Sequence, residues 1–328
     1  MTIAQPWMWA VFIAFVLVML ALDLFVFGGR KAHKVSTKEA AIWSVAWLGL
    51  AFGFNALLWW YLSGSAGAEI ASQKATEFLT GYVIEKSLSV DNVFVFLMIF
   101  SAFQVAPEHQ RRVLLYGVLG AIVLRAIMII AGAWVVREFH WVLYLFGVFL
   151  IFTGIRMLMM AEKTPDLEKN PVLRFARRHL RISDRYHGDK FSVMQNGVRY
   201  FTPLFLVLLM IEVTDVVFAV DSIPAIFAIT TDPFIVFTSN IFAIMGLRAL
   251  YFLLADMADR FHLLKYGLAF LLVFIGGKML AAYWIHVSTQ VSLLVIAIIL
   301  ASSVVASLIL TQPNVKTKPS IKDGSNAA

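Results

Sequence analysis

Two apolar segments of the chain carry carboxylates at the same six-residue spacing. In EKSLSVDNVFVF this spacing separates Glu85 from Asp91, and in DVVFAVDSIPAI it separates Asp215 from Asp221, with Glu212 just before the second segment. An ionised carboxylate near the centre of a membrane helix costs about 2.5–3.5 kcal/mol, so it persists where it faces protein, water or a partner. We therefore predict that these five acidic residues form a functional site.

The neighbours of these carboxylates indicate which ligand they would bind. Small oxygen donors accompany both segments, namely Ser87, Ser89, Asn92, Thr214 and Ser222. Mg²⁺, Ca²⁺ and Mn²⁺ prefer such hard oxygen ligands, whereas zinc and copper favour the nitrogen and sulfur atoms of His and Cys. The chain has no cysteine, and its seven histidines fall in loops or at the ends of predicted spans. The predicted ligand is therefore a divalent cation of the first group.

We expect Asp91 and Asp221 to bind the cation directly. Three further carboxylates would complete the ligand shell or relay protons, and these are Glu85, Glu212 and Asp215. The supporting donors would be Asn92, Ser222, Ser89 and Thr214. The structural alternative is that intramembrane acids and bases neutralise one another, which we expect of Arg125, Arg156, Arg248 and Lys278, with Lys86 as another candidate counter-ion. Thioethers at Met210 and Met245 could add a soft ligand, although core packing is the simpler explanation.

The composition shows which elements must position these residues. Of 328 residues, 61% are hydrophobic and 14% charged, and the mean hydropathy is +0.83. A soluble domain is about half apolar and a quarter charged, so we predict an all-α polytopic membrane protein. About nine segments reach the length that a bilayer requires: 7–28, 39–62, 76–100, 113–135, 142–160, 202–228, 234–255, 266–286 and 288–311. The first lacks the basic flank and cleavage site of a signal peptide, so we expect it to be retained.

The basic residues of the connections predict the orientation. Nearly all of them fall on one side, and only Lys74 and Arg137 lie on the other. We therefore place the N-terminus outside and the C-terminus in the cytoplasm. The formal net charge of +7 then reflects topology, and nucleic acid is not an expected partner.

An internal repeat organises the chain. Glu85-x5-Asp91 aligns with Asp215-x5-Asp221, the LRA motif at 124–126 recurs at 247–249, and FLIFTGIRML at 149–158 recurs as LLVFIGGKML at 271–280. Each copy would contain three spans, an odd number, so spans 3–5 and 6–8 must cross the membrane in opposite senses, as in many secondary transporters. The predicted divisions are an N-terminal two-span region (7–62), a first repeat (76–160), a basic cytoplasmic loop (161–200), a second repeat (202–286), a final span (288–311) and a disordered cytoplasmic tail (312–328).

Helix geometry leaves two arrangements open for the acidic spans. Six positions at 100° per residue place the paired carboxylates about 120° apart, so both helices are either central or interrupted. Pro224 favours an interruption in the sixth span, because it would free the carbonyl of Val220.

Other polar segments have simpler interpretations. Asn55 and Asn240 are expected to form interhelical hydrogen bonds. Asp23 is expected to pair with the basic loop from Arg30 to Lys38, and lining an exit is the alternative. The segment NPVLRFARRHLRISDRYH, which begins at Asn170, predicts either an interfacial helix on the inner leaflet or a solvated linker.

The motifs resemble those of a known family. ExxLSVDN in the third span, EVTDVVFAVDSIPA in the sixth and the paired LRA motifs resemble the TerC family of integral membrane proteins, and the span number and basic central loop are similar to its Alx branch. The resemblance runs from Trp7 to Leu310. It implies a multi-pass protein of the bacterial inner (plasma) membrane, related to the lysine exporter fold, in a family associated with manganese efflux, alkaline-pH response and tellurite resistance. The family's acidic membrane positions match Glu85, Asp91, Glu212, Asp215 and Asp221.

The functional prediction combines these two lines of reasoning. The residues alone predict a divalent-cation transporter, and the resemblance implies that the cation is Mn²⁺, exported by a secondary transporter with protons as the expected coupling ion. Ca²⁺ and Mg²⁺ stay open as substrates. An alternative is a membrane accessory factor for metal delivery or stress response without intrinsic transport. Export of an organic solute would need a less acidic site. No nucleotide loop, nucleophile elbow or metalloprotease motif supports an enzyme, and no resident cofactor is expected.

Overall fold

Helices make up most of the described chain. The computed structural model describes residues 2–22, 36–160, 171–195, 197–255, 263–282, 284–285 and 287–310. Asp23, which was predicted to pair with the basic loop or to line an exit, and the predicted tail at 312–328 lie outside these residues. The elements in chain order are α1 Pro6–Leu22, α2 Thr37–Ser65, α3 Ala68–Ala102, α4 Pro107–Glu138, α5 Val142–Met160, α6 Pro171–His179, β1 Ser192–Gln195, β2 Val198–Phe201, α7 Pro203–Phe227, α8 Pro233–Met245, α9 Leu247–Ala255, α10 Leu264–Ala281 and α11 Thr289–Leu310.

The helices confirm the membrane-protein class. Seven helical segments of the described chain are long and apolar enough to cross a bilayer: α2, α4, α5, α7, α8 with α9, α10 and α11. The apolar helix α1 is shorter, with 17 residues, and the 35-residue helix α3 carries the ionisable residues Glu69, Lys74, Glu77, Glu85, Lys86 and Asp91. The count of nine spans and the orientation stay predictions.

The helices that carry the carboxylates are central. α3 packs against α7 and α8, and α4 packs against the same two helices. Nearly every side chain of α8 is buried, whereas most of α11 and α2 faces outward. Because α3 and α7 are surrounded by protein on most sides, carboxylates about 120° apart on each helix can all face protein.

The predicted interruption at Pro224 is wrong. Helix α7 continues through Pro224 and ends at Phe227. A proline this close to the end of a helix removes one hydrogen bond and leaves the preceding turns intact. The break falls in the seventh span instead, where Gly246 separates α8 from α9. There Lys86 of α3 donates a hydrogen bond of 3.3 Å to the carbonyl of Ala243, one of the groups that a helix end leaves without an intrahelical partner.

Helices α5 and α10 pack backbone to backbone. A Cβ atom at Gly276 would lie 2.6 Å from the carbonyl oxygen of Gly147, and one at Gly147 would lie 3.1 Å from the carbonyl oxygen of Gly276. One at Gly154 would lie 2.8 Å from the carbonyl oxygen of Ala269. Small residues at these positions let the two membrane helices approach closely.

This contact predicts a difference between two adjacent glycines of α10. We expect Gly276→Ala to lower the stability by about 1–3 kcal/mol, because the added methyl group overpacks against the α5 backbone. Gly277→Ala is the matched control, since a Cβ atom at Gly277 meets nothing within 4 Å. Thermal unfolding of both variants in detergent checks the prediction, and equal melting temperatures would contradict it.

The segment before α7 is a small folded unit. The predicted helix is present as α6, but its Leu173 and Ala176 are buried in the protein core. After it, β1 and β2 pair antiparallel, with Ser192 opposite Phe201 and Gln195 opposite Val198. The all-α class is confirmed for the described residues. The short hairpin was not predicted, because its four-residue strands are too short to give a periodic signal.

This unit is docked on the ends of α3 and α4. The Tyr186 hydroxyl donates a hydrogen bond of 2.6 Å to the carbonyl of Phe103, and Asp189 forms an ion pair with Arg112. Partial burial raises the pKa of the Tyr186 hydroxyl. Thr202, between β2 and α7, donates its hydroxyl to the carbonyl of Lys190 at 2.7 Å. Residues 171–202 are therefore folded and are not a solvated linker. The predicted helix is present, and its position at the inner leaflet stays a prediction.

Candidate functional site

A buried ion-pair cluster connects the central helices. Arg125 of α4 is 1% exposed and lies between Glu85 of α3 and Asp215 of α7. Its Nη2 and Nε donate to the two oxygens of Asp215 at 2.7 and 3.1 Å, and its Nη1 donates to Glu85 Oε1. Asn240 of α8 donates to Glu85 Oε2 at 3.0 Å, and Asn92 of α3 donates to Asp215 at 3.5 Å. The cluster therefore ties four helices together.

The ion-pair cluster shows which contacts several of the predicted residues make. Glu85 and Asp215 form ion pairs with the guanidinium group of Arg125, so in this structure their carboxylates are engaged by a positive side chain. Arg125 was predicted to be a structural counter-ion and Asn240 an interhelical hydrogen-bonding residue, and both predictions are confirmed. Asn55 differs from Asn240, because its buried Oδ1 has no hydrogen-bond partner in the described chain.

A cavity of about 370 Å³ lies next to the cluster. Asp91 of α3 and Asp221 of α7 both line it, together with the neighbouring residues Asn92 and Ser222. The other lining residues come from α3, α4, α5, α7 and α10: Glu85, Leu88, Val95, Met98, Arg125, Thr153, Arg156, Met157, Phe218, Lys265 and Leu272. The structure thus brings together the two carboxylates that the sequence predicts to be direct ligands.

Two buried oxygen atoms beside this cavity are unused. Asn92 Oδ1 and Ser222 Oγ have no hydrogen-bond partner in the described chain, although each residue is only 1% exposed. A buried polar atom without a partner costs about 1–3 kcal/mol and marks a place where water or a ligand is expected. The two atoms belong to Asn92 and Ser222, the residues directly after Asp91 and Asp221. The cavity therefore offers free oxygen atoms that could coordinate a cation.

Positive groups also reach the cavity. Lys265 acts electrostatically on Asp91, and Arg156 acts on Asp221, whose carboxylate also accepts a hydrogen bond from Thr153. Among the described residues, no group of three or more His, Cys, Asp or Glu side chains lies close enough together to hold a metal ion. A bound cation would therefore rely on two carboxylates and neutral donors, and would compete with Lys265 and Arg156.

The remaining predicted residues lie outside the cavity lining. Glu212 of α7 packs against α4, where a side chain added at Gly120 would overlap its carboxylate, and its buried Oε2 has no hydrogen-bond partner. The buried Ser89 Oγ also lacks a partner, and Thr214 donates its hydroxyl to the carbonyl of Met210 at 2.6 Å. Met210 and Met245 are buried in the apolar core, which confirms the simpler explanation of these two residues.

Sequence reasoning missed several lining residues. Thr153 lies in the repeated segment FLIFTGIRML, three residues before Arg156, and this spacing on a helix could have identified it. Met98 and Met157 were overlooked in favour of Met210 and Met245. Lys265 precedes the predicted span 266–286 by one residue, so it counted among the basic residues of the connections, whereas the structure places it in the first turn of α10.

A second buried polar network was also missed. Glu77 accepts hydrogen bonds from Lys74 at 2.8 Å and from Thr230 at 2.6 Å. Asp232, which caps α8, accepts from the Thr2 hydroxyl and the Ile3 amide, each at 2.9 Å. Glu77 precedes Glu85 by about two turns of α3. This spacing on one helix could have identified Glu77 as a further buried carboxylate.

These features define a polytopic helical membrane protein with a polar site between its central helices. The comparison with known families agrees: residues 70–315 match the family described as "Integral membrane protein TerC family". The chain therefore belongs to the TerC family.

Relatives match along most of their length. The Alx protein of Salmonella typhi, whose name suggests a membrane-bound redox modulator, is 55% identical over 304 residues, which cover 93% of this chain and 94% of that protein. The Alx protein of Photorhabdus laumondii is 50% identical over 94% of this chain and 96% of its own length. An uncharacterized membrane protein of Myxococcus xanthus is 49% identical over 94% of each chain. No solved structure matches the chain significantly.

Proposed function

We propose that this protein is a secondary transporter that exports a divalent cation, Mn²⁺ in the first instance, across the bacterial inner membrane. One observation carries the proposal: Asp91 and Asp221, from two different segments, line one cavity beside two buried oxygens that lack hydrogen-bond partners. Carboxylate, amide and hydroxyl oxygens form the ligand set that Mn²⁺, Ca²⁺ and Mg²⁺ share. The preference for Mn²⁺ comes from the family resemblance, and Ca²⁺ and Mg²⁺ are the other candidate substrates.

The packing of α5 and α10 supports an inverted repeat around this site. In the aligned segments Gly154 corresponds to Gly276, and Gly147 corresponds to Ala269. The close contact of Gly147 with Gly276 therefore has as its counterpart the contact of Ala269 with Gly154, and both contacts occur. Likewise α3 packs on α8 as α7 packs on α4. Such reciprocity is expected of two copies related by a two-fold axis, with the substrate site between them.

Export of a divalent cation requires a driving ion. Moving two positive charges outward against an inside-negative potential costs about 4.6 kcal/mol per 100 mV. Proton antiport is the proposed source of this energy, and Glu212 is the proposed carrier. Its Oε2 is buried without a partner, so a proton can bind or leave there without breaking a hydrogen bond. Lys265 and Arg156 would take the place of the metal beside Asp91 and Asp221 after release.

The proton-carrier role predicts a specific defect in Glu212→Gln. The amide cannot exchange a proton, so we expect Mn²⁺ binding to persist while stimulation of flux by a pH gradient is lost. Glu138→Gln, which changes an exposed glutamate in the last turn of α4, is the matched control. Flux assays with imposed pH gradients measure the effect. Wild-type gradient dependence in Glu212→Gln would remove this residue from the mechanism.

The central test is Mn²⁺ flux in proteoliposomes that contain only this protein, with and without a pH gradient. We expect flux that depends on the gradient. Folded protein that binds Mn²⁺ but transports none would contradict the transporter proposal.

Binding of Mn²⁺ without transport would favour an accessory role, in which the protein passes metal to exported proteins or acts in a stress response. The relatives' name, which suggests redox modulation, is the observation that favours it. The chain has no cysteine, so it cannot contribute thiol chemistry of its own to such a role. In either case we propose cation binding and not enzymatic catalysis.

A further inference from the structure

We propose that Met98 and Met157 make the cavity selective for transition-metal ions over Mg²⁺ and Ca²⁺. This inference rests on the proposed cation binding and specifies the class of substrate. Both methionines line the cavity that Asp91 and Asp221 share, and they come from different helices, α3 and α5.

Each of the two methionines lies on the same helix face as an oxygen-bearing residue of the cavity. Met98 follows Asp91 by seven residues, or about two helical turns, so both side chains lie on one face of α3. Met157 follows Thr153 by four residues and lies on the same face of α5 as this partner of Asp221. Met210 and Met245 instead are almost completely buried in the apolar core, at 2% and 3% exposure. Met98 and Met157 are only partly buried, as expected of side chains at a cavity surface.

The chemistry of the thioether supplies the discrimination. Two carboxylates with amide and hydroxyl oxygens bind Mn²⁺, Ca²⁺ and Mg²⁺ alike, because all three are satisfied by oxygen. A thioether sulfur is a soft, polarisable ligand that replaces a water molecule at little cost on a transition-metal ion and at high cost on Mg²⁺ or Ca²⁺. Methionine is also flexible, so its sulfur can approach the ion without displacing a helix. The two methionines therefore penalise the ions that are most abundant in cells.

The test measures binding of Cd²⁺, Mn²⁺, Ca²⁺ and Mg²⁺ to the purified full-length protein. Cd²⁺ is the softest probe and should respond most. We expect Met98→Leu with Met157→Leu to weaken Cd²⁺ binding about tenfold or more and Mn²⁺ binding less, while Ca²⁺ binding is unchanged. Leucine conserves the volume, so folding should persist, and Met210→Leu is the matched control in the core. Met98→Gln, which replaces sulfur with an oxygen donor, should strengthen Ca²⁺ binding.

The outcomes separate this inference from the proposed function. If the wild-type protein binds Mn²⁺ and the double variant keeps the same ratio of Cd²⁺ to Ca²⁺ affinity, the selectivity proposal is overturned and cation binding stands. If all four affinities fall together, the methionines serve packing only, and the proposal is likewise overturned. If the wild-type protein binds none of the four ions, both proposals fail.

Discussion

Replacing Asp91 or Asp221 with asparagine should abolish cation binding and export. Both carboxylates line the same cavity, and no third acidic or histidine side chain of the described chain joins them closely enough to form a metal site. Each change removes one of two negative charges and preserves the shape of the side chain. Changes to groups that merely orient metal ligands already cost 10–100-fold in affinity, so we expect a loss of more than about 100-fold for a direct ligand.

Binding of Mn²⁺ to purified protein and flux in proteoliposomes measure this loss. The matched control is Asp189→Asn, because its carboxylate is half exposed and pairs with Arg112, and neither residue lines the cavity. This variant should behave as the wild type does. If Asp91→Asn and Asp221→Asn both retained wild-type flux, the assignment of the two carboxylates as ligands would be wrong.

The second large effect is expected at Arg125. Replacing it with methionine leaves Glu85 and Asp215 buried without their shared counter-ion. Removing one partner of a buried ion pair typically costs about 3–5 kcal/mol, because the remaining charge is uncompensated. We therefore expect Arg125→Met to melt far below the wild type in detergent, or to be recovered mainly as unfolded protein.

A compensated variant distinguishes charge from packing. The triple variant Glu85→Gln, Arg125→Met, Asp215→Asn removes all three charges, and buried ion pairs can often be replaced by neutral groups of similar volume at little cost. We expect it to recover most of the lost stability. If the triple variant were as unstable as Arg125→Met, the loss would come from the volume of Arg125, which is among the largest fully buried side chains.

Much of the fold follows from patterns that the sequence displays. The apolar segments predict the helices, and the carboxylates on α3 and α7 predict that these two helices are either central or interrupted, since lipid would reject the charges. The repeated spacing also identifies Asp91 and Asp221, which share a cavity in the structure. The helices are confirmed, because each depends on the composition of one segment, whereas the role of the two carboxylates as ligands stays a prediction.

The failures concern choices that local patterns leave open. The repeat offers Arg125 and Arg248 as matching intramembrane bases, and only the three-dimensional packing shows that Arg125 pairs with both Glu85 and Asp215. Pro224 gives the strongest helix-breaking signal in the sixth span, yet the break occurs at Gly246, where Lys86 satisfies a free carbonyl. Contacts between distant segments decide both cases.

The hairpin β1–β2 offers a practical opportunity. Only Thr202 separates β2 from α7, and its hydrogen bond to Lys190 fixes the hairpin to the start of that helix. A tilt of α7 would therefore move the hairpin relative to the ends of α3 and α4, on which the unit is docked. Because the chain has no cysteine, a single thiol introduced at the exposed Met194 would be unique. A fluorescent or spin label attached there would report the motion of α7 without any other change to the protein.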